Sequence, residues 1–213
     1  MRPVNHRYTL YLVVLLLGLA SSACNSDSGP QLPRLTSAAT LLAFGDSLTY
    51  GTGADRDESY PAVLAQLTGH TVINAGIPGE VSAQGRDRLP ALLDRHRPAL
   101  LLLTHGGNDM LHRVDPATTR NNLEDMIQAA TQRGIAVILI GVPKPGLLFL
   151  ETADMYDELA EKFNLVYEDS IFATVESDNT LKSDQIHPNA AGYHQIAESL
   201  FTLLSKHGAL PGL

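Results

Sequence analysis

The stretch AFGDSLTYGTG, Ala43 to Gly53, decides the fold. It follows Leu41 and Leu42, so a run of apolar and small residues meets Gly45, Asp46 and Ser47. Gly, Asp and Ser form turns, and a plain turn is one reading. The other is a serine displayed at the end of a buried strand, with its hydroxyl open to a ligand. The stretch by itself fits both readings, and the segments around it separate them.

Working outward, short apolar runs recur at Thr40–Phe44, Thr71–Asn74, Ala99–Thr104, Ala136–Val142 and Asn164–Tyr167. Segments of helical spacing lie between them: Tyr60–Leu67, Ala83–Arg95, Thr119–Gln132, Thr152–Phe163 and Asn189–Lys206. In the third, Leu123, Met126, Ile127 and Ala130 share a face and Gly134 follows as a stop signal. In the last, Tyr193, Ile196, Leu200 and Leu203 form a stripe, with Gly208 after it. Strands alternating with helices predict an α/β fold with a five-stranded parallel sheet and helices on both faces. Leu100–Leu103 is apolar without alternation, as a strand covered on both faces should be. Such sheets bind ligands at the carboxyl ends of their strands, which is where Ser47 would stand.

The chain has 213 residues, 44% hydrophobic and 18% charged, enough for one domain with a sizeable core. Its formal net charge of -8 and the lack of a Lys/Arg run argue against nucleic acid as a partner. Arg2 and Arg7 precede the apolar run Leu10–Leu19, and Ser21 and Ala23 lead into Cys24. A positive start, a greasy middle and a small-residue exit make residues 1–23 a signal peptide. The run is shorter than the ~20 residues of a membrane span. The alternative, an uncleaved anchor helix, exports the domain as well. Cleavage removes Arg2 and Arg7 and no acid, taking the formal charge from -8 to -10.

Cys24 is the sole cysteine, so no internal disulfide forms. Its place after the small residues suits a lipoprotein signal and a membrane tether through Cys24. Ser21, however, stands where that pattern wants Leu. The alternative is a periplasmic or secreted protein with a free N-terminal thiol. Residues 24–38, rich in Ser and Pro, read as a polar tether, and residues 39–213 as the domain.

Polar blocks follow the apolar runs: Gly45-Asp46-Ser47, Asn74-Ala75-Gly76-Ile77-Pro78-Gly79, His105-Gly106-Gly107-Asn108-Asp109 and, late, Asp184-Gln185-Ile186-His187-Pro188. The topology gathers all four on one sheet edge. A serine hydroxyl becomes a nucleophile when a base takes its proton and a third group orients the base. His187 suits the base, and Asp184, three residues earlier, suits the orienting carboxylate. The Ser47 and Gly76 N–H groups and the Asn108 amide could stabilise an oxyanion. Gly76 admits a close backbone approach because it has no Cβ. Asp46 and Asp109 read as structural hydrogen-bonding groups, and His105 as a supporting residue behind the site. No Cys/His cluster or acidic loop has metal-binding spacing, and no Gly-Lys-Ser/Thr follows Gly51 and Gly53, so no metal or cofactor is expected.

With these blocks in view, the chain resembles the SGNH, or GDSL, hydrolase superfamily. It is most similar to the bacterial branch of secreted arylesterases and thioesterase/lysophospholipases. The resemblance rests on GDSLTYG (Gly45–Gly51), NAGIPGE (Asn74–Glu80), GGND (Gly106–Asp109) and DQIHPN (Asp184–Asn189), in order along the domain. It implies a flavodoxin-like three-layer α/β/α sandwich. It also implies Ser47 as nucleophile, His187 as base, Asp184 as third triad member, and an oxyanion hole of Ser47, Gly76 and Asn108. The implied activity is hydrolysis of aryl or short- to medium-chain esters through an acyl-enzyme, on a small-molecule ester or a lipid-like substrate.

Three other readings stay open: a thioesterase/lysophospholipase, a carbohydrate acetylesterase, and an inactive binding lipoprotein. Export disfavours acyl-CoA, a mainly cytoplasmic compound. The absence of Trp weakens sugar stacking. Gly146–Leu150 (GLLFL) reads equally well as an acyl-chain wall or as ordinary packing.

Overall fold

The computed structural model describes residues 29–144 and 151–210. The expected signal peptide, Cys24 and the GLLFL segment lie outside the described residues.

Five strands form one parallel sheet: β1 (Thr40–Gly45), β2 (Thr71–Gly76), β3 (Leu100–Thr104), β4 (Ala136–Ile140) and β5 (Val166–Glu168). Their order is β2-β1-β3-β4-β5. Leu41–Phe44 and Leu100–Leu103 have no exposed surface, which explains why these runs do not alternate. Gly45 pairs with both Gly76 and Thr104, so β1, β2 and β3 end level with one another. The connections leave β1 in opposite directions, and the crevice this opens at the strand ends is the usual ligand site of such sheets.

Eight α-helices are described: α1 (Ser47–Tyr50), α2 (Tyr60–Thr68), α3 (Ser82–His96), α4 (Gly107–Leu111), α5 (Pro116–Thr131), α6 (Asp154–Phe163), α7 (Ile171–Ser177) and α8 (Ala190–Lys206). Helices α2, α7 and α8 pack together on one face, and α3, α5 and α6 on the other. The result is the expected three-layer sandwich.

The five expected helices are present, with ends moved by their caps. Helix α5 begins at Pro116 rather than Thr119, because the Asp115 carboxylate accepts the Ala117 N–H and Pro116 suits the first turn. Its Leu123, Met126, Ile127 and Ala130 are buried as the spacing requires. On α8 the buried stripe runs Tyr193, Ile196, Ala197, Leu200 and Leu204. Leu203 is only partly buried, since a 3.6-residue period drifts the stripe around the helix.

Helices α1, α4 and α7 had no expectation behind them. The first two are single short turns after β1 and β3, too brief to show a period. The first turn of α7 is held by a carboxylate three residues before it, since Glu168 accepts the Ile171 N–H at 3.0 Å and also the Ser199 hydroxyl of α8 at 2.8 Å.

The segment expected as a tether is docked from Pro30 onward. The Leu32 and Leu35 N–H groups donate to the His207 and Ala209 carbonyls, both at 2.8 Å. His207 Nδ1 donates to the Pro30 carbonyl at 2.7 Å, and Leu32 joins the core.

Candidate active site

Ser47 opens α1 directly after β1. Asp46 caps the helix, its Oδ1 accepting the Leu48 N–H at 3.1 Å. As the first helical residue, Ser47 has a backbone N–H with no partner among the described residues. His187 and Asp184 come from the loop before α8. That loop is fixed from inside: Asp184 Oδ1 accepts the N–H groups of Ile186 and His187, each at 2.8 Å.

Three side chains then line up. His187 Nε2 lies 3.1 Å from Ser47 Oγ, and His187 Nδ1 lies 2.7 Å from Asp184 Oδ2. With the carboxylate accepting at Nδ1, the free lone pair of the ring faces the serine. Partial burial pushes the Asp184 carboxyl up. The two backbone donors and the His187 ring outweigh it and bring the pKa down to about 2, so the carboxylate is charged at neutral pH.

Asn108 stands at the start of α4. Its amide donates to Asp46 Oδ2 at 3.2 Å and to the Glu80 carbonyl at 3.0 Å. Burial pushes the Asp46 carboxyl upward. Asp46 and Asp109 are buried in hydrogen-bonded positions, as expected: Asp109 accepts the Ser82 N–H at 2.7 Å and the Thr119 hydroxyl at 3.3 Å.

Gly76 is not brought to the site. Its N–H donates to Asn74 Oδ1 at 3.0 Å. A Cβ there would run into the Tyr50 backbone, so the glycine is needed for a close approach to α1 and not to a ligand. Gly79, and not Gly76, lines the cleft. Ile77-Pro78-Gly79-Glu80 is a type II turn, with Pro78 second, Gly79 third at φ +80°, and the Glu80 N–H donating to the Ile77 carbonyl at 3.1 Å. The Gly79 N–H has no partner among the described residues. The Pro-Gly pair after the strand end was a readable signal for this turn.

The turn is braced from behind. Arg88 donates to both oxygens of Glu80, at 2.8 and 2.6 Å, and His105 Nε2 lies 3.1 Å from the same carboxylate. The Gly106 N–H donates to His105 Nδ1, which assigns the ring proton to Nε2. Burial raises the Glu80 pKa, and these partners outweigh it and hold it below the usual range. The expected supporting place for His105 is thus occupied by a fully buried ring.

Ser47, His187, Gly79 and Asn108 line a cleft of about 600 Å³. Leu48, Pro78, Leu111, Val142, Pro143 and Ile186 give it apolar walls. Lys144 also lines it, tied to Asp154 at 2.7 Å, and so does Glu176, which no sequence signal marked. Among the described residues no His/Cys/Asp/Glu group is placed to hold a metal ion. No helix among them is long and apolar enough to cross a membrane.

Comparison with known proteins identifies the family. The model of the GDSL-like lipase/acylhydrolase family matches residues 43–195. Esterase TesA of Pseudomonas aeruginosa is 32% identical over 183 residues, covering 81% of this chain and 91% of its own. Thioesterase 1/protease 1/lysophospholipase L1 of Escherichia coli is 32% identical over 172 residues, covering 78% of this chain and 83% of its own. The crystal structure of the psychrotrophic esterase EstA from Pseudoalteromonas sp., inhibited by monoethylphosphonate, superposes with a TM-score of 0.70 at 22% identity. It covers 78% of this chain and 97% of that one, and shows the shared fold. From the residues matched and the length covered, the chain belongs to the GDSL-like lipase/acylhydrolase family.

Proposed function

We propose that the protein is a serine esterase that hydrolyses carboxylic esters in two acyl-transfer steps. The observation that carries the reading is the continuous Ser47–His187–Asp184 chain, 3.1 and 2.7 Å long, opening on an apolar cleft. Ser47 Oγ attacks the ester carbonyl as its proton passes to His187 Nε2, and Asp184 holds the imidazolium that forms. The Ser47 and Gly79 N–H groups receive the developing oxyanion. Asn108 joins them by releasing its longer bond, 3.2 Å to Asp46, and turning that N–H into the cleft. His187 then protonates the departing alcohol. Water repeats the sequence on the acyl-enzyme, attacking the carbonyl, giving its proton to His187 and releasing Ser47 and the acid.

The substrates that fit this reading are aryl and short- to medium-chain acyl esters. Thioesters pass through the same tetrahedral geometry, and the name of the E. coli relative keeps thioesterase and lysophospholipase work as the second reading. Arg2, Arg7, the apolar run and the small residues before Cys24 support export, with Cys24 as a lipid-bearing N-terminus.

The test is hydrolysis of p-nitrophenyl esters from acetate to palmitate by residues 25–213 and by Ser47→Ala. A short- or medium-chain optimum that falls by a factor on the order of 10⁴ or more in the variant supports the reading. Turnover that survives Ser47→Ala overturns it. A long-chain or thioester optimum moves the assignment to the second reading.

A further inference from the structure

Glu176 lies in the last turn of α7 and lines the same cleft as Ser47 and His187. Only 7% of its surface is exposed, yet its carboxyl makes no hydrogen bond to any described residue. The other buried acids of the site are all engaged. Asp46 binds Leu48 and Asn108, Glu80 binds Arg88 and His105, and Asp109 binds Ser82 and Thr119. Its oxygens are not sealed off from solvent: they open on the cleft, where a water or a ligand hydroxyl can partner them. Helix α7 is not free to turn the group outward. Ile171, Phe172 and Val175 are buried on its inner face, and Glu168 holds its first turn.

The charge of the group narrows the ligand. Burial pushes the Glu176 carboxyl up to about 8, with Lys182 drawing it down and Asp46 pushing it further up. At neutral pH it is mainly the uncharged acid, which offers an O–H donor and a carbonyl acceptor side by side. A substrate hydroxyl is both acceptor and donor and matches that pair. A cation would require the acid to ionise first. Phosphate would meet no unpaired lysine or arginine among the described lining residues, because Lys144 is tied to Asp154.

We propose that Glu176 is a specificity residue that receives a hydroxyl group of the ester substrate, so that the cleft favours hydroxylated esters over plain alkyl esters of the same length. This rests on the esterase reading and deepens it. The hydroxyl can stand on the alcohol side, as in a glycerol ester, or on the acyl side, as in a hydroxy acid. Leu48, Pro78, Leu111, Val142, Pro143 and Ile186 line much of the rest of the cleft, so hydrocarbon parts of the substrate have apolar surface to lie against.

The experiment compares kcat/KM on matched pairs: glycerol monobutyrate against propyl butyrate, and methyl 3-hydroxybutyrate against methyl butyrate. It is run on the wild-type chain, Glu176→Gln and Glu176→Leu. The expected wild-type preference for the hydroxylated member of one pair is about tenfold, the size of one hydrogen bond. The pair that shows it tells which side carries the hydroxyl. Glu176→Leu should bring that ratio to about one, whereas Glu176→Gln, which keeps a donor and an acceptor, should retain most of it. A wild-type ratio near one in both pairs, or a ratio unmoved in Glu176→Leu, overturns the proposal. Selective loss of butyrylcholine hydrolysis in Glu176→Gln, with the hydroxyl ratios unmoved, replaces it with a cation site. Binding of the same compounds to the Ser47→Ala chain, followed by NMR titration, reads the preference without turnover. Failure of the esterase reading and failure of this inference are therefore separable.

Discussion

At the residue scale, the site is held together by short bonds between groups that the chain places far apart. Asn108 is the clearest example: one amide ties the Asp46 carboxylate to the Glu80 carbonyl and also faces the cleft. Asn108→Ala should lower kcat by on the order of 100- to 1000-fold. Its Tm should fall by only a few degrees, because two hydrogen bonds and no core volume are lost. Steady-state kinetics and a thermal melt on one preparation check both. Asp184 has a pH signature. Its folded pKa, about 2, lies below the ordinary 3.8, so the unfolded chain binds more protons between those values. Its stabilising contribution is complete above about pH 4 and is lost as pH falls through about 2. In melts from pH 5 to 2, the wild-type Tm should therefore fall more steeply than that of Asp184→Asn.

At the element scale, the helices that matter most for the site are the ones least visible in the sequence. Helix α7 has seven residues, and its first turn depends on Glu168, a strand residue that also binds Ser199 of α8. One carboxylate thus couples β5, α7 and α8. Glu168→Ala should cost about 1–2 kcal/mol, the usual range for a lost N-terminal cap, read by urea unfolding. The same variant should blunt any Glu176-dependent selectivity, since α7 carries that residue. An unchanged unfolding midpoint would mean that water replaces the carboxylate at the helix end.

At the scale of the whole molecule, the parallel sheet aligns the ends of β1, β2 and β3, and the loops that follow build the cleft between them. The opposite end is closed by the N-terminal strap. Pro30–Leu35 is laid along the end of α8, with Leu32 buried and its N–H bonded to the His207 carbonyl. Leu32→Ala should destabilise the fold by about 2–3 kcal/mol, at the low end for a buried leucine, because the strap can partly collapse onto the gap. Equilibrium unfolding measures it, and activity on p-nitrophenyl butyrate at 25 °C should persist, since the strap stands apart from the cleft residues.

The strand and helix alternation and the parallel sheet were legible in the sequence, and so were Ser47, Asp184, His187 and Asn108, four of the five residues expected at the site, which the structure brings together. These features are local or periodic. A buried run such as Leu100–Leu103, a stripe such as Leu123–Ala130, or a block such as Asp184–His187 carries its own signature. Tertiary packing alone places Gly79 at the cleft and Gly76 against α1. Both are glycines in one block, and the choice depends on which backbone faces α1 and which faces the cleft. The same holds for Glu176 and for the docking of Pro30–Leu35. A lone Glu on a short helix and a Ser/Pro-rich stretch have ordinary surface chemistry in sequence. Their roles come from neighbours more than a hundred residues away along the chain, Ser47 for one and His207 for the other.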